Sequence, residues 1–414
     1  MDLSTCPFCN LTVLTLELER HANSHFDDED ISKDLELAQE ISLASSSPSY
    51  FQVDDAMQCE TSSRKNHENS FLKCDAKNCT PGEKDLTEEI RILASVQIKE
   101  ICPQIGQGSM DLLKNCLELE TEKTTTILCG FVDHFQSSPS EDFGWGCGWR
   151  NIQMLSSHLL KQHQEAREVL YGGSGFVPDI PSLQRWLEIA WQRGFDKQGS
   201  EDFDRAIYGK RNWIGTTECA TLFRSFGVRA RIVDFISRDS RSNGVGNYVS
   251  KMSPQVYGPM DRYLSKKKND ISEAVSISYD VKAKPRVQQA LVDWVWSYFC
   301  DNKFKNSSNH GILVSQKAPL YFQHDGHSRT IVGIQSRCQR NGSIHYNLLI
   351  LDPGHPTESL AKSLKENAGW QKLVKRGVHT LKKPLYQLCF IDPGIASGEE
   401  MERLKNLHSV RVEV

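Results

Sequence analysis

The 414-residue chain has no excess of either charge: 49 Lys and Arg stand against 53 Asp and Glu, a formal net charge of −4. A surface built to hold nucleic acid or an anionic membrane needs a basic surplus, so neither class of partner is indicated. Long apolar runs are missing too, and no stretch reaches the roughly 20 residues that span a bilayer. The opening residues Met1-Asp2-Leu3-Ser4-Thr5-Cys6 carry neither the basic nor the apolar segment of a secretion signal. Cysteine is not scarce, but its 13 copies are odd in number and scattered from Cys6 to Cys389, which is no disulfide framework. These absences predict a protein of a reducing compartment, the cytoplasm or nucleus. At this length one large domain with smaller modules is expected.

The first module spans residues 1–26. Cys6 and Cys9 lie three apart on a knuckle, and His21 and His25 lie four apart on one helix face. Four such ligands in tetrahedral reach suit one structural zinc ion, a C2H2-type finger whose minute core is Phe8 with Leu14 or Leu18. Residues 27–45 follow with an acidic lead and a short helix that carries Leu35, Ala38, Ile41 and Ser42 on one face. That pattern resembles the ubiquitin-interacting helices, in which the alanine packs on the apolar patch of ubiquitin; an ordinary amphipathic stretch fits it equally. Residues 46–84 read as a flexible linker rich in Ser, Asn, Asp and Lys. Residues 85–129 read as a helical arm, with Ile90, Leu93, Val96, Ile98 and Ile101 forming a broad apolar face.

The main domain is expected over 130–400, with a polar, Lys-rich surface insertion at 237–284. Its most informative segment is Gly144-Trp145-Gly146-Cys147-Gly148-Trp149-Arg150. Ile152, Leu155 and Leu159 then share one helical face, which puts Cys147 at the mouth of a helix. There the unpaired backbone N–H groups and the positive dipole end favour a thiolate. Gly146 and Gly148 permit a tight turn and close approach of a substrate main chain. Trp145 and Trp149 are candidate walls of a narrow slot. A buried, inert cysteine is the competing reading of the segment alone.

Helical patterns follow at 182–191, 216–226 and 287–299, and the last third turns to apolar runs of strand length at 312–314, 330–334, 344–351 and 385–391. Asn341-Gly342 joins the second and third of these runs as a hairpin. A cysteine nucleophile needs a base and a group that orients the base. His327 precedes one strand of that hairpin and Asp352 follows the other, so both fall at the same end of the sheet.

Taken together, Gly144 to Asn151, Gln323-His324-Asp325-Gly326-His327-Ser328-Arg329-Thr330 and Leu349-Ile350-Leu351-Asp352-Pro353-Gly354 resemble the C78 cysteine peptidases. That family contains the proteases for the ubiquitin-fold modifier and a zinc-finger-bearing ubiquitin peptidase branch, to which the modular order here is similar. The resemblance covers roughly 130–393 without the insertion. It implies a papain-like α+β fold, a thiol hydrolase, Cys147 as nucleophile, His327 as base and Asp352 as orienter. The modifier-specific branch takes its histidine from an Asp-Pro-His motif; here the run is Asp352-Pro353-Gly354-His355, so His355 is the rival base. Oxyanion donors are expected from the Cys147 N–H and a side chain such as Gln323 or His134.

Glu141 and Asp142 are candidate partners for the arginines that precede the terminal glycines of ubiquitin. With the finger and the 27–45 helix they favour ubiquitin or polyubiquitin, of the non-degradative kind by resemblance, over the ubiquitin-fold modifier. An inactive ubiquitin-binding adaptor is the alternative of another class. No membrane partner is expected, and direct nucleic-acid binding by a lone finger is disfavoured.

Overall fold

The computed structural model describes residues 3–5, 12–14, 81–102, 108–120, 124–237, 287–300, 311–324, 326–338 and 342–414. The expected zinc ligands Cys6, Cys9, His21 and His25, the helix residues Leu35, Ala38 and Ser42, and residues 238–284 of the expected insertion lie outside them. The chain divides into two units, residues 1–87 and 88–414.

In the first unit, β1 (Leu3–Thr5) and β2 (Thr12–Leu14) pair antiparallel, Ser4 opposite Val13, and bracket positions 6–11. Helix α1 (Pro81–Val96) starts four residues ahead of its expected position, with proline at its first turn, where the missing N–H costs nothing. In the second unit, Ile90 and Leu93 of α1 are buried, but Val96, Ile98 and Ile101 are exposed. The apolar face therefore ends with the helix, and the chain beyond runs extended, Lys99 bridging Pro178.

The remaining elements are α2 (Ser109–Glu118), β3 (Thr124–Leu128), α3 (Cys147–Gln162), α4 (Gln164–Val169), α5 (Ile180–Gln192), α6 (Lys197–Glu201), α7 (Thr216–Ser225), β4 (Val228–Ile236), α8 (Val287–Phe299), β5 (Gly311–Val314), β6 (Leu320–His324), β7 (His327–Cys338), β8 (Ile344–Leu351), α9 (Thr357–Lys365), α10 (Trp370–Val374), β9 (Lys375–Gly377), β10 (Leu385–Ile395), α11 (Glu399–Leu404) and β11 (Ser409–Glu413). Local chemistry sets several ends. Asp179 caps α5 by accepting from the Ser182 N–H at 2.9 Å. Gly227, at φ +83°, ends α7.

β3 to β11 form one mixed sheet of nine strands, and its main path runs β11-β4-β10-β6-β7-β3-β5, with β8 and β9 on the far side of β7. Two pairs are parallel, β3 with β5 and β4 with β11; the others are antiparallel. Alternation divides the sheet into two faces. Tyr321 and Gln323 of β6 lie opposite Thr330 and Ser328 of β7 and turn toward α3 and α7. Phe322, His324 and Arg329 belong to the other face, with Tyr386. On that side Trp294 of α8 meets Phe235 and Phe390 edge-on. Fully buried Trp149, Trp186, Phe223 and Phe226 fill the layer between α3, α5 and α7.

β3 and β7 cross closely at Gly333, where an added Cβ would meet the Ile127 carbonyl oxygen and, at 2.9 Å, Leu128 Cδ2. The Ile127 carbonyl cannot yield without moving β3. Gly333→Ala should therefore lower stability by about 1 to 3 kcal/mol, read by urea unfolding; an unchanged midpoint would contradict this packing.

Candidate active site

The turn ahead of α3 is built around one carboxylate. Asp142 Oδ1 accepts from the Ser138 N–H at 2.7 Å, and the Asp142 carbonyl accepts from Gly146 N–H at 2.8 Å. Arg150, one helical turn into α3, clamps the same carboxylate through Nε at 3.0 Å and Nη2 at 2.9 Å. Its Nη1 reaches Glu100 at 2.9 Å. Gly146 has no space for a Cβ because the Asp142 carboxylate occupies it, and a Cβ on Gly148 would sit 2.6 Å from Ile214 Cγ1 and 2.9 Å from Tyr321 Oη. The glycines therefore serve packing of the helix mouth.

Cys147 is the first residue of α3, half-buried, with no side-chain cap on the helix. Its dipole end is thus left for the thiol or a substrate oxygen. Burial, with Asp133 and Glu100 nearby, pushes Cys102 up to about 12. Burial also raises Cys116, Cys129 and Cys219, which are held as neutral thiols.

Asn151, fully buried on α3, fixes that mouth to the sheet. Its Nδ2 donates to the Cys147 carbonyl at 2.7 Å and to Ser328 Oγ at 3.0 Å, and its Oδ1 accepts from Thr330 Oγ1 at 2.7 Å. The strand so gripped begins at His327, which pairs with His324 across a tight hairpin, the rings 6.2 Å apart. Two residues on, Arg329 Nε donates to Asp352 Oδ2, beyond the end of β8. His327, Arg329 and Asp352 therefore share one end of the β7–β8 pair, the end to which the α3 mouth is tied.

Asp352 is held from several sides. Burial opposes its charge, but the Arg329 guanidinium, His355 and the Gly354 N–H at 2.9 Å outweigh it and keep the carboxyl far below its ordinary range. The Asp352 carbonyl accepts from the His355 N–H at 3.1 Å and from His134 Nε2 at 3.0 Å. Because Nε2 must donate to a carbonyl, His134 Nδ1 accepts from Thr357 Oγ1, 2.8 Å away.

Several expected roles shift on this geometry. His134 spends both ring nitrogens on Thr357 and the Asp352 carbonyl, so it braces residue 352 and has no donor left for an oxyanion. Trp149 is fully buried in the core and is no slot wall. Trp145 remains half-exposed. Asp142 is buried and saturated by Arg150 and Ser138, so it cannot receive a substrate arginine, whereas Glu141 keeps a side chain 71% exposed. Gln323 Oε1 accepts from the Thr216 N–H at 3.0 Å, on the sheet face that carries Tyr321. Sequence reasoning missed Trp213, half-exposed, whose Nε1 donates to the Gly144 carbonyl. It also missed Arg150, Asn151 and Arg329. The signal for Trp213 was available in Asn212-Trp213-Ile214-Gly215, an aromatic in a short run ending at glycine. Among the described residues no three His, Cys, Asp or Glu side chains form a metal cluster, and no helix is long and apolar enough to cross a membrane.

Residues 121–389 match the model of peptidase family C78. The chain belongs to peptidase family C78. It is 34% identical over 297 residues to zinc finger-containing ubiquitin peptidase 1 of Rattus norvegicus, covering 70% of this chain and 41% of that protein. It is 26% identical over 283 residues to ubiquitin carboxyl-terminal hydrolase mug105 of Schizosaccharomyces pombe, covering 68% and 89%. A shorter likeness, 32% over 94 residues, covers 23% of this chain and 34% of Ufm1-specific protease 1 of Mus musculus. The chain thus spans about two fifths of the length of the zinc finger-containing relatives.

Two outcomes test the assignments at this C78 site. Asp142→Ala removes two charge-assisted hydrogen bonds from a buried guanidinium that keeps Glu100, and should cost about 2 to 3 kcal/mol, while Glu141→Gln should change stability by under about 0.5 kcal/mol. Chemical unfolding of the two variants reads the difference, and equal effects would refute the separation of roles. Burial also pushes His134 and His158 down to about 4 from 6.5. Both stay neutral in the fold while the unfolded chain binds their protons below 6.5, so stability should fall as pH drops from about 6.5 to 4 and be flat above. His158→Gln should remove its share, on the order of 3 kcal/mol across that window; a slope untouched by the substitution would count against it.

Proposed function

We propose that the chain is a thiol peptidase that cleaves after the C-terminal glycine of ubiquitin, including isopeptide bonds in polyubiquitin. The observation that carries this is the Asn151 clamp, which ties the mouth of α3, bearing Cys147, to the strand that starts at His327. Membership of C78 and the ubiquitin peptidase names of two relatives support it.

In this reading the Cys147 sulfur, its proton taken by His327, attacks the carbonyl carbon of the last glycine. The oxyanion meets the Cys147 N–H and the Nε2 of Gln323, whose Oε1 is already anchored. Collapse breaks the C–N bond, and His327 returns its proton to the leaving lysine amine. Water, deprotonated by the same imidazole, then hydrolyses the thioester and frees the thiol. Asp352 orients His327 as a carboxylate, and His355 is the rival base. Trp145 with Trp213 lines the approach of a thin glycine tail, and Glu141 meets an arginine of ubiquitin.

A zinc-bound finger from Cys6, Cys9, His21 and His25, with a helix bearing Leu35, Ala38 and Ser42, would raise the effective concentration of a polyubiquitin chain at the site. The hairpin β1–β2 bracketing the Cys6–Cys9 knuckle supports the finger, as does the zinc finger in a relative's name. The papain-like arrangement, the cytoplasm and nucleus as compartments, and non-degradative chains as substrates belong to the same proposal. The modifier-specific protease among the relatives supports a second reading, with the ubiquitin-fold modifier as substrate.

Electrophilic C-terminal probes of ubiquitin and of the ubiquitin-fold modifier decide between them. Ubiquitin should be captured by the wild type and lost with Cys147→Ala. His327→Ala should slow capture by at least about 100-fold. Capture of the modifier alone would move the substrate, capture of neither would leave an adaptor, and full speed in His327→Ala would move the base to His355.

A further inference from the structure

Arg329 joins two groups that ask opposite things of it. Its Nε donates to Asp352 Oδ2, and its Nη1 lies 2.9 Å from His324 Nε2. A guanidinium has only donors, so His324 Nε2 must supply a lone pair. His324 is therefore a neutral imidazole with its proton on Nδ1, an atom sealed from solvent and without a hydrogen-bond partner among the described residues. His324 stands directly across the hairpin from His327, the rings 6.2 Å apart, and Arg329 lies two residues beyond His327 in β7. One cation, its side chain 18% exposed, thus sits between the carboxylate assigned to orient the base and the imidazole beside the base.

We propose that Arg329 is a positioning residue of the catalytic apparatus: it fixes the Asp352 carboxylate and holds His324 as a neutral spacer, so that the proton exchanged in catalysis resides on His327. The proposal rests on the roles given above to Cys147, His327 and Asp352. The charges facing the cluster agree with it. Burial, Arg329, His327 and Lys383 hold His324 well below its ordinary value, against the pull of Asp352. His355 and Arg329 together keep Asp352 ionised, and His134 holds the backbone of the same residue. Lysine keeps the charge but lacks the planar fork that spans both contacts.

The test uses the full chain with Arg329→Met and Arg329→Lys, a fluorogenic ubiquitin C-terminal amide as substrate across pH 5 to 9, and histidine-ring NMR assigned with His324→Gln. In Arg329→Met, kcat should fall about 10- to 100-fold with KM nearly constant. The acid limb of kcat/KM should move up by about one pH unit, because a cation that disfavours imidazole protonation is gone. Arg329→Lys should restore the limb and part of kcat. In the wild type the His324 ring should remain the Nδ1–H tautomer down to pH 5. An Arg329→Met protein that keeps both kcat and the limb overturns the proposal, as does a wild-type His324 carrying its proton on Nε2; the latter reading needs no variant to fold. A wild type that turns over neither ubiquitin nor modifier substrates sinks the functional reading and with it the catalytic role of Arg329, while the ring spectra still decide whether Arg329 sets the tautomer.

Discussion

The amide of Asn151 is the joint on which the candidate site depends. Fully buried, it has no water to fall back on, so its two donor contacts and one acceptor contact have to be met by protein. They are met by the Cys147 carbonyl, Ser328 and Thr330, which belong to a helix and a strand 177 or more residues apart in the chain. A buried network of this kind holds one relative placement of its members and penalises alternatives. The mouth of α3 and the start of β7 are therefore set against each other by chemistry and not by loop length.

Much of this was legible because it is periodic or local. The apolar face through Ile152, Leu155 and Leu159 marked α3, and α8 fell on Val287–Phe299 as its pattern indicated. The hairpin between β7 and β8 announced itself by a glycine that takes φ +81° at position 342. β3 and β6 escaped notice because short strands such as Thr124–Leu128 and Leu320–His324 have too few residues to display alternation. The apolar face expected through Val96, Ile98 and Ile101 is exposed at those three residues, because Val96 closes α1 and the apolar pattern continues past the helix end.

Within the site, sequence disclosed which residue types converge but not their satisfaction. Asp142 looked like a solvent-facing acid until Arg150, eight residues away, was seen to fill both its oxygens. Trp149 looked like a twin of Trp145, yet Trp149 lies inside α3 and is core, while Trp145 precedes the helix and is half-exposed. The acids Glu100, Glu141 and Asp142 all lie within 4 Å of one guanidinium. Left alone, that much negative charge near the α3 mouth would oppose ionisation of a thiol there; Arg150 offsets it.

The grip of His134 on residue 352 passes through a main-chain oxygen, as does the N–H of His355. Every amino acid carries that oxygen. The main chain at position 352 is thereby held by two contacts that do not depend on its side chain, so an isosteric exchange of carboxylate for amide there acts first on the Arg329 and Gly354 contacts.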